Sequence, residues 1–586
     1  MRSSFGILLL LASISPPGVH AEGVPIGPHR VRVEGKVRVP MRDRVALVAD
    51  VYRPEPAGRF PVLLQRTPYN RSDAGTGVLL ASHGYVVVLQ DTRGRYDSEG
   101  EFYPFRHEAE DGYDSVEWAA ALPDSDGRVG MFGGSYVGAT QMLAASARPP
   151  HLVAIFPYVT ASEYYDGWTY QSGALMQWFT STWASLLAED TLRRTTHSAM
   201  RPAEWVAGGP VSGYRLFEPP EAAAVAPYFR DWLEHETDDD YWRPWRISDR
   251  YPEMAVKALH AGGWHDLFLK GSIANYEGLR ARAATPEARA GQRLLVGPWC
   301  HGPTSPEGRI GDVVFGKDAV LDVEATTLEW FDHALKGEAN AFASAAPVRL
   351  FVMGENRWRD EREWPLARAR TTRYYLHSSG RPFGPDGDGR LLEAPPKKDP
   401  PARFTYDPDD PVPTIGGRLC CGEWTKPGPY DQRPNEKRPD VLVFSTPPLE
   451  RDLEVTGPIA LELYAASSAV DTDFTALLAD VEPSGYARFL ADGIVRGRYR
   501  RSTTRAEPLV PGQVERFVID LWSTSNLFKA GHRVRLYVSS SNFPRFDRNP
   551  NTGAARSDAT RRERADQTVY HDAEHASALV LPVIPR

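Results

Sequence analysis

The sequence predicts an α/β domain with a helical insertion, followed by an all-β domain. Three observations predict it. Short, continuously apolar runs alternate with helical patterns on both sides of a long aromatic stretch; that stretch has no strand pattern of its own; and beyond about residue 345 short strands recur between Pro, Gly and Asp. The divisions fall at 1–21 for a leader, 28–159 and 251–345 for the two parts of the α/β domain, 160–250 for the insertion, and 346–586 for the all-β domain.

Taken in order, the leader joins Arg2 to the apolar run Ile7–Ala12 and ends in Val19-His-Ala21. That is the pattern of a cleaved signal peptide, so export with a mature start near Glu22 is expected. Its apolar core is too short to span a bilayer, and no later run is long and apolar enough to do so. Alternation at Val31–Glu34 and Val45–Val51 predicts an antiparallel start to a sheet. Phe60–Leu64 and Tyr85–Leu89 are apolar without alternation, as parallel strands covered on both faces are. Glu108–Leu122 reads as a helix and Val153–Phe156 as a further strand.

The insertion holds Trp168, Trp178, Trp183, Trp205, Trp232, Trp242 and Trp245, and lying over the strand ends it would form a lid. Its acidic cluster, Glu234–Asp240, reads as a solvated helix start and not as a metal site. Strands resume at Met254–Ala261 and Arg293–Val296. Residues 379–415 look like an extended connection. Val441–Phe444, Ile459–Tyr464, Phe474–Leu478, Phe517–Trp522 and Val534–Val538 fit a sandwich or jelly roll.

Three of these strand ends carry chemistry. Arg128–Gly134 is a β-rich run that ends in glycines at Ser135 and turns helical at once, which is how a nucleophilic serine is presented at a strand-to-helix turn. A serine hydroxyl needs a histidine to take its proton, and the histidine needs a carboxylate to fix its tautomer. Gly262-Gly-Trp-His-Asp266 and Gly297-Pro-Trp-Cys-His301 supply both at later strand ends, in the order Ser135, Asp266, His301 of an α/β-hydrolase. His265 competes with His301 but sits beside the acid, where a loop histidine is the plainer reading.

Length, 586 residues, predicts two or three domains, and 42% hydrophobic with 25% charged residues is ordinary for a protein with a large core. A net charge of −8 gives no footprint for nucleic acid or an anionic membrane surface. The three cysteines, Cys300, Cys420 and Cys421, lack zinc-site spacing; Cys300 bridging to Cys420 or Cys421, or free buried thiols, are both open.

The placed motifs resemble those of the cocaine-esterase-type hydrolases, a branch of the X-prolyl dipeptidyl-peptidase superfamily. Gly133-Gly-Ser-Tyr-Val-Gly138 is similar to its Gly-x-Ser-Tyr-x-Gly, Gly263–Asp266 to its Gly-Trp-aromatic-Asp, and Gly297–His301 to its Gly-Pro-Trp-x-His. The likeness runs through the C-terminal stretch Ser539–Asp547. It implies an α/β-hydrolase domain with a helical lid and a C-terminal jelly roll, with Ser135, Asp266 and His301 as the triad. It also implies an oxyanion hole from the Tyr69 hydroxyl and the Tyr136 amide, and an acyl pocket lined by Trp168, Trp183 and Phe268.

The expected activity is cleavage of a small-molecule acyl ester through an acyl-enzyme, with no metal or organic cofactor. An amidase, acylase or X-Pro dipeptidyl-peptidase with the same triad is the alternative, and a surface- or carbohydrate-binding protein with an inactive hydrolase domain is the alternative of another class. α-Amino acid ester hydrolases of the family carry acidic residues just after the catalytic Asp. Here Leu267, Phe268 and Leu269 stand there, which disfavours an ammonium-bearing substrate. Glu163 and Asp166 in the insertion could restore such a carboxylate after folding.

Overall fold

A computed structural model describes residues 24–196, 224–302, 304–421, 426–555 and 561–585. The leader at 1–21 and Trp205 lie outside them. A ten-stranded sheet forms the first domain. Its strands are β1 (Arg30–Pro40), β2 (Ala46–Glu55), β3 (Phe60–Thr67), β4 (Val86–Asp91), β5 (Ser125–Gly134), β6 (Leu152–Tyr158), β7 (Lys257–His265), β8 (Gln292–Cys300), β9 (Val348–Val352) and β10 (Arg357–Glu361). They lie in the order β1-β2-β4-β3-β5-β6-β7-β8-β9-β10. β1, β2 and β4 pair antiparallel, the interior from β4 to β9 is parallel, and β10 returns antiparallel. The sheet thus continues past residue 345, so the expected 345/346 division falls ahead of its last two strands, where Val348, Leu350 and Val352 are buried.

The interior strands read as continuous apolar runs because both faces are covered. Leu64, Val86 and Val88 pack in one cluster with residues of the helices α2 (Glu108–Ala120) and α3 (Tyr136–Ser146). Leu63, Val87 and Leu89 pack on the other face with α1 (Ala74–Ser82) and the helix Val323–Phe331. Crossovers on both faces are what parallel pairing demands.

Between β6 and β7 the described residues form α4 (Gln177–Thr196), α5 (Pro227–Glu234), a hairpin of two two-residue strands and three short 3₁₀ turns, much of it apolar and buried. α6 (Leu269–Arg282) follows β7. The C-terminal domain is a second sheet of eleven strands between Arg370 and Ile584. The strands expected at 459–464, 474–478, 517–522 and 534–538 lie within four of them, and the one expected at 441–444 is found one residue later, at Leu442–Ser445. The stretch 379–415 is not a plain connection, because Arg390–Leu392 and Ala402–Tyr406 pair into this sheet.

Candidate active site

Ser135 sits between β5 and α3 at φ 61° and ψ −127°, in a region that non-glycine residues rarely occupy and that strand-to-helix nucleophile turns use. The neighbours allow the turn. Gly133 has φ 133°, and a Cβ on Gly138 would come within 2.8 Å of Thr160, which is why this motif carries its second glycine three places after the serine. The Ser135 amide donates to the Tyr158 carbonyl at 3.0 Å, and Thr160 Oγ1 donates to the Ser135 carbonyl at 2.8 Å. The strained residue is therefore fixed from both sides.

Asp266 and His301 follow β7 and β8, parallel neighbours in the sheet. His301 Nδ1 is 2.7 Å from Asp266 Oδ2, and His301 Nε2 is 3.0 Å from Ser135 Oγ. With Nδ1–H donating to the carboxylate, Nε2 is left to accept the serine proton. The other carboxylate oxygen accepts the Phe268 amide at 2.7 Å. All three groups are buried, so their attractions act with little screening.

Tyr69 and Tyr136 flank the serine. Trp183 Nε1 donates to the Tyr69 hydroxyl at 2.8 Å, and burial pushes the Tyr69 phenol up to about 12, against the pull of its contacts with Trp183 and Ser135. It stays protonated near neutrality and keeps a proton to donate. The Tyr136 amide is the first of α3, a position that helix geometry leaves without an intrahelical acceptor. Its phenol points away, donating to Glu108 at 3.0 Å and accepting the Phe105 amide at 2.9 Å. Glu108, raised by burial, is ion-paired with Arg66 at 2.8 Å.

The expected pocket rings meet here. Phe268 stacks on Trp168 with centroids 4.4 Å apart and turns its edge to His301 at 5.2 Å; Trp183 stacks on Tyr136 at 5.6 Å. All three are fully buried. Among the described residues, the buried Trp168 Nε1 has no hydrogen-bond acceptor. The sequence reading missed Phe179, whose ring lies 5.3 Å from both Phe268 and Trp168. Its signal was available: it stands four residues before Trp183 on α4, on the same helical face.

His265 is no partner of the serine. Among the described residues neither of its buried ring nitrogens has a hydrogen-bond partner, and burial, with the Arg418 and Arg488 charges, holds its pKa well below the ordinary value. The structure joins Cys420 to Cys421 and leaves Cys300 a buried free thiol, so of the alternatives left open for Cys300 the free thiol is the one found, and Cys420 and Cys421 pair with each other. Neighbouring positions in the chain leave the two sulfurs side by side, whereas Cys300 is enclosed at the end of β8. Glu163 accepts from Ser248 at 2.6 Å and Asp166 is ion-paired with Lys270 at 2.7 Å, so these two acidic residues of the insertion are engaged. Among the described residues no three His, Cys, Asp or Glu side chains converge as metal ligands.

Comparison with known proteins bears on the two domains. Residues 43–303 match the X-Pro dipeptidyl-peptidase (S15) family, and residues 340–580 match the X-Pro dipeptidyl-peptidase C-terminal non-catalytic domain. A cocaine esterase of Rhodococcus sp. (strain MB1 Bresler) is 39% identical over 579 residues, covering 94% of this chain and 99% of that protein. Among solved structures, an aminopeptidase from a Thaumarchaeota archaeon superposes with a TM-score of 0.80 at 25% identity, covering 98% of this chain and all of the other. An α-amino acid ester hydrolase superposes with a TM-score of 0.77 at 26% identity over the same shares. The two family matches follow one another along the chain as its two sheets do, and the relative at 39% identity spans both: the chain belongs to the cocaine-esterase-type branch of the X-Pro dipeptidyl-peptidase (S15) family.

Proposed function

We propose that this protein is an exported serine hydrolase that cleaves acyl esters of small molecules through a covalent acyl-enzyme. One observation carries the reading: a single imidazole, His301, lies within hydrogen-bond reach of both a strained serine and a buried carboxylate. Ser135 Oγ attacks the ester carbonyl while His301 Nε2 takes its proton. The same proton then goes to the leaving alcohol, and water repeats the sequence on the acyl-enzyme. Asp266 orients His301 and stabilises the imidazolium. The Tyr69 hydroxyl and the Tyr136 amide face the carbonyl oxygen as it gains charge, an arrangement whose loss costs roughly 10²–10³ in rate per donor.

The preference for an ester over an X-Pro peptide follows from the pocket. A dipeptidyl peptidase must hold a free ammonium, and an unpaired buried charge is costly. The residues after Asp266 are apolar, the facing rings are Trp168, Trp183, Phe179 and Phe268, and both Glu163 and Asp166 are already paired. Export rests on the leader at residues 1–21.

The test is a fluorophosphonate probe followed by a substrate panel. Labelling of the wild type that is lost in Ser135→Ala is expected, with aryl and short acyl esters turned over faster than Gly-Pro or Ala-Pro anilides. Faster anilide cleavage would move the assignment to a peptidase, and no labelling would leave a binding protein.

A further inference from the structure

Arg418 belongs to the C-terminal domain, yet one of its hydrogen bonds reaches the turn that carries Asp266. Its side chain is fully buried. Nε donates to the Trp264 carbonyl at 3.2 Å, Nη1 to the carbonyls of Asp492 at 3.2 Å and Leu521 at 2.9 Å, and Nη2 to the Ser523 carbonyl at 3.1 Å. The Trp522 ring lies under the guanidinium, 5.0 Å from centroid to carbon. The carboxylate of Asp492 is 3.9 Å away and also serves Arg545 at 3.0 Å and Asn542 at 3.1 Å. Arg418 is thus a buried cation satisfied chiefly by backbone carbonyls, three from the C-terminal sheet and one from the catalytic domain.

The Trp264 carbonyl lies two residues before the acid, in the last residues of β7, which have little slack. The Asp266 amide donates to the Gly263 carbonyl at 2.9 Å, and the Trp264 indole donates to the Phe351 carbonyl at 2.8 Å. Any Cβ on Gly263 would fall within 2.2 Å of the Trp299 carbonyl, so this strand end is packed directly on the strand that leads to His301. Tilting the Trp264 peptide therefore moves Asp266 against His301. As a stabilising device alone, a buried guanidinium is expensive, since apolar replacements of buried charges are often neutral or stabilising. A planar fork with several fixed donors suits the setting of backbone geometry.

We infer that Arg418 is a positioning residue for the catalytic acid: by tying the Trp264 carbonyl to three carbonyls of the C-terminal domain, it fixes the turn that presents Asp266 to His301. The inference rests on the triad reading above. It makes the C-terminal domain part of the catalytic apparatus.

The experiment is a pH profile of kcat/KM, with kcat expressed per fluorophosphonate-titrated site, for the wild type, Arg418→Lys and Lys270→Met. Titration of the wild type but not of Ser135→Ala tests the triad itself, so its failure is separate from failure of the Arg418 assignment. Arg418→Lys keeps the charge but loses the fork. Its kcat per titrated site is expected to fall at least tenfold with KM changed less than threefold. The acidic limb of kcat/KM, which reports the free enzyme, should move to lower pH, because a displaced carboxylate no longer favours the imidazolium. A field effect alone would leave that limb in place.

Lys270→Met loosens a different tie between the domains, 2.7 Å to Asp166 and 3.3 Å to Asp520. It should lower the melting temperature without moving the limb. An unmoved limb with wild-type kcat per site in Arg418→Lys, or the same shift in Lys270→Met, overturns the inference. Should Arg418→Lys fail to fold, Trp522→Leu, which removes the ring beneath the guanidinium, is expected to give a smaller fall in kcat with the same direction of shift; no change there would overturn it equally.

Discussion

Ser135 is held by what lies next to it. Its turn is shaped by Gly133 and Gly138 and fastened by Tyr158 and Thr160, the latter two at the end of the adjoining strand. Asp266 is held from farther off: its turn leans on Trp299 and Phe351, and its Trp264 carbonyl is reached by Arg418, 154 positions along the chain. The turn at Ser135 is thus made within residues 133–160, whereas on the Arg418 assignment the turn at Asp266 is set by two domains. A motif of six residues carries the glycines that the first requires, and none of that length reaches the partners of the second.

The largest effect would break the comparison if it failed. Ser135→Ala and His301→Ala are each expected to lower kcat on the order of 10⁶, and Asp266→Ala on the order of 10⁴, with the double Ser135/His301 variant no worse than either single one. Additive losses would mean that the two turns do not serve one step. Next, Tyr69→Phe should lower kcat by roughly 10²–10³ with an unchanged far-UV spectrum and melting temperature, since it deletes one oxyanion donor and keeps the ring. An unchanged kcat would place this hydroxyl away from the reacting carbonyl.

Smaller effects sharpen the contrast. Gly138→Ala puts a methyl group 2.8 Å from Thr160. About 1–3 kcal/mol of stability should be lost in urea unfolding, as for an overpacked core; a neutral result would show the nucleophile turn to be more yielding than its packing implies. The smallest effect concerns Cys300, beside His301. Burial pushes its thiol up to about 12, so at pH 8 only on the order of 10⁻⁴ is thiolate. Iodoacetamide should leave it unmodified in the native protein and modify it once unfolded. Rapid native labelling would mean that the acid side of the site opens freely.

What was legible in the sequence follows the same division. The order Ser135, Asp266, His301 and the strand ends that carry them could be read because glycines, apolar runs and turn residues are local signals. The strand Arg370–His377 escaped because only Tyr374 and Leu376 are buried, and the polar run Arg370-Thr-Thr-Arg373 ahead of them carries no apolar residue. Arg418 offered no signal at all. Its role depends on carbonyls of residues 74 to 154 positions distant, and a lone arginine after two glycines reads as a surface turn. Phe179 lay between these cases, marked by helical spacing from Trp183 but lost among the aromatics around it.

The hydrogen bond from Trp183 to Tyr69 joins the insertion to the oxyanion side of the site. Because the indole occupies a lone pair of the phenol oxygen, the phenol's own proton is turned elsewhere, toward the serine. The insertion and the oxyanion side of the site therefore share one hydroxyl, and a change at Trp183 reaches Tyr69 through a single bond.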